Sequence, residues 1–103
     1  MPKYLATYDF KDTIPDPHAT FLQKAVQQGW QVWILTQASI WNRLPNTTII
    51  GEFASQVVAD RAFDAAVAAT AIAIRRPVIV EKYILVDYQS ALIASDQQQK
   101  KVA

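Results

Sequence analysis

The sequence predicts an α+β domain whose elements run strand, helix, strand, strand, helix, strand. Three observations predict it. Short segments rich in β-branched and aromatic residues alternate with two stretches carrying apolar residues at helical spacing. Those stretches begin and end on residues suited to helix termini. The strands are apolar on both faces, which is unusual for a sheet with one side in water. At 103 residues the chain is long enough to close one hydrophobic core but not two.

The first strand is Lys3 to Phe10, where Tyr4, Ala6, Tyr8 and Phe10 alternate with Leu5 and Thr7. A charged, proline-containing loop follows. Asp16 then supplies an acceptor at a helix start and Pro17 a preset φ. Phe21, Leu22, Ala25 and Val26 form the apolar stripe of this helix, which Gly29 is expected to stop in the left-handed conformation. Trp30 to Thr36 is the second strand and Asn46 to Ala54 the third, with Gln37 to Pro45 between them as a long hairpin. Ser55 is a fitting cap for the second helix, whose apolar face runs from Val58 through Phe63 to Ile74. Arg75 and Arg76 complement the helix dipole, and Pro77 forces a stop. Val78 to Tyr88 is the fourth strand. Residues 1–90 thus form one domain, and residues 91–103, polar and rich in glutamine, a weakly structured or disordered tail.

This element order is that of the ferredoxin-like βαββαβ unit, a four-stranded antiparallel sheet with both helices on one face. Because the strands are apolar on both sides, the second face is expected to be covered by another copy of the chain. Tyr4, Tyr8, Ile84 and Val86 are the candidate homodimer contacts.

Composition narrows the function. Apolar residues make up 51% and charged ones only 18%, below the roughly 25% of an average globular protein, so a partner surface is expected. Without cysteine there are no disulfides, thiolate metal sites or cysteine nucleophiles, in keeping with a reducing compartment. Met1-Pro2-Lys3-Tyr4 leads directly into a strand, so a cytoplasmic location is expected. No membrane segment is expected either, since the longest uncharged apolar stretch, Ala65 to Ile74, is about half of what a spanning helix needs. A net charge of +1 exerts no general pull on nucleic acid. The only glycines are Gly29 and Gly51, so there is no phosphate-binding glycine loop and no nucleophile elbow.

Asp9 ends the first strand, where a carboxylate facing its symmetry mate would share a proton or hold a divalent cation, and the plainer alternative is that it ends the strand and caps a turn. Asp12, Asp16 and His18 lie near it in sequence, but Asp16 reads better as a cap, Asp12 as a solvated loop residue and His18 as an exposed residue of the first helical turn. His18, the only histidine, could instead act alone as a general acid or base. Arg43 and Asn46 are candidates for phosphate contact, with Trp41 as a stacking surface for a base or, alternatively, a core aromatic.

Tyr8-Asp9 at the end of the first strand, the helix closing at Gly29 and the run Leu44-Pro45-Asn46-Thr47-Thr48 together resemble small bacterial proteins related to CRISPR-associated endoribonucleases. More loosely they resemble GhoS-type antitoxin ribonucleases and SinR-family proteins. The resemblance implies a dimeric ferredoxin-like fold and a metal-dependent endoribonuclease in which Asp9 and its mate hold Mg²⁺. The first helix departs from that family in having Lys24 as its only basic residue, and the second strand departs in reading WQVWILT. Three readings follow: a nuclease of this kind, with RNA as partner; a non-catalytic dimeric module binding protein or nucleic acid, as in a toxin–antitoxin setting; and a dimeric α+β barrel enclosing a small apolar ligand among Trp30, Trp33, Phe53 and Tyr83.

Overall fold

The computed structural model describes residues 1–100. It is a mixed α+β domain with two helices and two antiparallel sheets. In chain order the elements are β1 (Lys3–Phe10), α1 (His18–Gln27), β2 (Trp30–Gln31), β3 (Trp33–Leu35), β4 (Ile40–Arg43), β5 (Thr48–Glu52), α2 (Gln56–Ile74), β6 (Val80–Tyr88) and β7 (Gln98–Lys100). The larger sheet has the order β2-β5-β1-β6 and the smaller β3-β4-β7.

The core lies between the helices and one face of the larger sheet. Period-two alternation sends Tyr4, Ala6, Tyr8 and Phe10 to that face, where they bury against Phe21 and Ala25 of α1 and Ala59, Phe63 and Ala66 of α2. The rings of Tyr8, Phe10, Phe21 and Phe63 form a cluster with centroids 4.8 to 5.6 Å apart, in tilted and edge-on geometries that aromatic quadrupoles favour. Small residues at 59 and 66 let α2 approach. Trp30 packs on Phe53 with centroids 4.7 Å apart, and its buried indole N–H has no acceptor among the described residues.

The helix ends follow from local chemistry. The Ser55 hydroxyl accepts from the Val58 N–H at 3.2 Å, capping α2 as expected. Gly29 takes φ +101° just beyond α1, the conformation only glycine adopts cheaply. The start of α1 differs from expectation in detail: Pro17 holds the cap position and has no side-chain cap bond. Asp16, one residue earlier, accepts from the His18 N–H at 2.8 Å.

The second strand is not continuous. Trp30–Gln31 pairs with β5, and after a bend at Val32 the chain enters the smaller sheet as β3. The Val32 carbonyl accepts from both the Leu44 N–H at 2.9 Å and Arg43 Nη1 at 3.0 Å, which holds the bend. Gln37 to Pro45 is more than the hairpin connection the sequence suggests: within it Ile40–Arg43 forms β4 and pairs with β3, the turn closing through Thr36–Ser39 with the Ser39 N–H donating to the Thr36 carbonyl. Within residues 91–103, Gln98–Lys100 runs beside β4, fastened by Gln98 Nε2 donating to the buried Asn42 Oδ1 at 2.9 Å. Residues 101–103 of that segment lie outside the described residues.

Candidate functional site

The face of the larger sheet away from the helices carries what the core leaves over. Register places Thr7 opposite both Thr48 and Ile84, and Leu5 opposite both Ile50 and Val86. The two rows make a branched, mostly apolar band across β5, β1 and β6. Ile84 is 55% exposed and Val86 40%. Each end of the band carries a pair of opposite charges: Asp9 beside Lys82 at one end and Lys3 beside Glu52 at the other. Ile50, by contrast, is buried.

Two of the four expected dimer contacts lie elsewhere. Tyr4 and Tyr8 are in the core beneath the helices, 6% and 3% exposed. The reason is period-two geometry: of the two faces of β1, the one with Tyr, Ala, Tyr and Phe offers more apolar area and takes the core. Ile84 and Val86 do stand on the open face. Leu5 and Thr7 complete it there, a placement legible in the sequence as the complement of the aromatic face.

Asp9 is exposed on the open face at the end of β1, just before a bulge between Asp9 and Phe10. Its cross-strand neighbour is an ammonium, and no group of three or more Asp, Glu, His or Cys side chains able to hold a metal occurs among the described residues. Within one chain a single carboxylate beside a lysine offers fewer oxygen ligands than Mg²⁺ takes, a cation of octahedral oxygen ligation. Asp12 is exposed in the loop. Asp16 and His18 pair with each other, His18 Nδ1 lying 2.6 Å from Asp16 Oδ1. Hydrogen bonds from the His18 backbone and ring hold the Asp16 carboxyl below its usual range.

Arg43, Asn46 and Trp41 are separated in use. Arg43 spends Nη1 on the Val32 carbonyl, and its charge reaches the Tyr8 phenol. Asn46 is exposed in the turn before β5; that turn docks on β1 through the Tyr8 N–H donating to the Thr47 carbonyl at 3.1 Å. Trp41 lines a cavity of about 780 Å³ between the two sheets, with Lys3, Gln31, Ile50, Tyr88 and Leu92. The expected ligand-lining residues Trp30 and Phe53 pack on each other in the core at a tilt of 55°. Tyr83 stacks on Phe63 at 4.2 Å and donates its phenol to Asp60 Oδ1 at 3.1 Å.

The architecture thus defines a small antiparallel α+β domain with one sheet face buried by its own helices and the other presented outward. Compared with family models, curated proteins and solved structures, the chain has no match. No helix among the described residues is long and apolar enough to cross a membrane.

Proposed function

We propose that the chain is a non-catalytic binding module on a ferredoxin-like βαββαβ scaffold, working as a homodimer through the open sheet face. The strand order β2-β5-β1-β6 supports the scaffold, with α1 joining β1 to β2 and α2 joining β5 to β6. The observation that carries the dimer is the apolar band of Leu5, Thr7, Ile84 and Val86 between Asp9–Lys82 and Lys3–Glu52.

Magnitudes limit how the band works. Burying a branched side chain completely is worth about 1.5–3 kcal/mol, so half-exposed Ile84 and Val86 contribute on the order of 1 kcal/mol each. Association itself costs about 4–15 kcal/mol, so these two residues from both copies are too few and the face must close as a whole. The charged pairs set orientation and encounter more than affinity.

A binding role is favoured over a nuclease because Asp9 has Lys82 as its cross-strand neighbour and Arg43 commits Nη1 to the Val32 carbonyl. The test is cleavage of labelled single-stranded and duplex RNA with Mg²⁺ or Mn²⁺, comparing the wild type with Asp9→Ala at matched dimer content. Equal background from both is expected. Metal-dependent cutting that disappears in Asp9→Ala would replace this reading with the endoribonuclease implied by the resemblance.

A further inference from the structure

The two edges of the larger sheet are unequal. At one edge stands β2, two residues long, which offers almost nothing to an incoming strand. At the other stands β6, nine residues long, with β1 as its only strand neighbour among the described residues. Natural edges are usually short, bulged, proline-bearing or covered. β6 contains no proline, and the register shift beside it falls only at its Val80 end.

The outward-facing groups of β6 follow from two independent hydrogen bonds. The Tyr8 N–H donates to Thr47 on the β5 side, so the even-numbered residues of β1 direct their backbone groups toward β5 and the odd-numbered ones toward β6. Lys82, Ile84, Val86 and Tyr88, opposite Asp9, Thr7, Leu5 and Lys3, therefore turn their N–H and C=O inward to β1. Tyr83, Leu85 and Asp87 turn theirs outward. The second bond agrees: the Leu85 carbonyl accepts from Gln56 Nε2 at 3.1 Å, which requires it to point away from β1. Gln56 is an exposed side chain on the first turn of α2, and it is the only side chain that caps this edge among the described residues.

From this we infer that the outer edge of β6 is a strand-addition site whose occupant is β6 of a second copy, paired antiparallel about Leu85. Centred on Leu85, Ile84 meets Val86, Tyr83 meets Asp87, Lys82 meets Tyr88 and Glu81 meets Gln89, with no like charges opposed. Centred one residue earlier, Glu81 meets Asp87, a like-charge pair that cross-strand geometry penalises. Displacing the single Gln56 bond frees the Leu85 carbonyl for its partner. The edge contact is distinct from the face contact and does not depend on it.

Light scattering on four proteins separates the two: wild type, Leu5→Glu to break the face, Asp87→Pro to break the edge, and the double variant. Asp87→Pro removes an outward donor and leaves the ladder to β1 intact. The wild type, making both contacts, is expected to be larger than a dimer, Leu5→Glu to be dimeric through the edge and the double variant to be monomeric, a twofold loss of mass from Leu5→Glu. If Leu5→Glu is already monomeric, the edge proposal is overturned and the face pairing stands. If Leu5→Glu matches the wild type and Asp87→Pro halves its mass, the edge stands and the face reading fails. Amide exchange on the wild type is the second readout and needs no variant to fold. Tyr83, Leu85 and Asp87 amides should exchange roughly tenfold or more slowly at high than at low protein concentration. Unprotected exchange at all concentrations would overturn the proposal, whether the edge stays bare or serves some other chain.

Discussion

At the scale of single residues the tightest constraint is Gly51. A Cβ built there would lie 2.6 Å from Phe53 Cε2 and 3.1 Å from the Gly29 carbonyl oxygen. Phe53 is itself buried against Trp30, so its ring has little room to yield. Gly51→Ala is expected to destabilise by about 1–3 kcal/mol, the usual range for overpacking, read as a lower urea midpoint at unchanged slope. Tyr8 is a second such point. Burial pushes its phenol up to about 12, against a weaker opposing pull from the Arg43 guanidinium. Burial and the hydrogen bond to Asp60 raise Tyr83 as well. An unfolded chain releases these protons near pH 10, whereas the folded chain keeps them, so above pH 10 the unfolded state binds fewer protons and stability falls as pH rises. The urea midpoint should be flat from pH 8 to 9.5 and drop between pH 10 and 12, and Tyr83→Phe should reduce the drop.

At the scale of elements, α2 carries the clearest signals. Its N-terminus is capped by Ser55, so Ser55→Ala should cost about 1 kcal/mol in chemical denaturation. Its C-terminus is less favourable: Arg75 occupies the cap with φ +56°, a left-handed position that glycine takes at lower cost. Arg75→Gly is expected to raise the melting temperature by a few degrees, and an unchanged or lower value would mean that the arginine compensates through its charge at the dipole's negative end. Much of this was legible beforehand, since caps and stops are local chemistry. Ser55, Gly29 and Pro77 mark their helix ends in both sequence and structure. The break in the second strand was not legible. WQVWILT reads as an unbroken strand, and only the hydrogen bonds of Val32 with Arg43 and Leu44, made across eleven or twelve residues, turn it out of the sheet.

For the whole molecule the decisive question is which face of the sheet meets the helices. Tyr8 and Ile84 both lie in strands that read as apolar on each side, yet a charge at the two positions should act differently. Tyr8→Glu buries a carboxylate in the aromatic cluster and is expected to unfold the domain, seen as loss of the cooperative melt. Ile84→Glu falls on an exposed position and should leave the melt within a few degrees of wild type while weakening self-association in light scattering. The reverse result would exchange the two faces. The candidate site shows the same division of information. Asp9 could be placed at the end of a strand from the sequence, but its pairing with Lys82 depends on register between strands more than seventy residues apart.

By itself the sequence determined what neighbours along the chain can settle: two helices with their ends, strands at 3–10 and, to within two residues, at 78–88, a single core, and no cysteine chemistry. Those follow from periodicity, caps and composition, which act within a few residues. Tertiary structure alone decided that the aromatic side of β1 faces inward, that Gly51 must lack a side chain, and that Lys82 stands beside Asp9. It also decided that β6 ends the sheet with one edge unpaired by any strand among the described residues. Each is a contact between distant segments, chosen by the competition of apolar surfaces for one core, and that competition leaves no local trace in the chain.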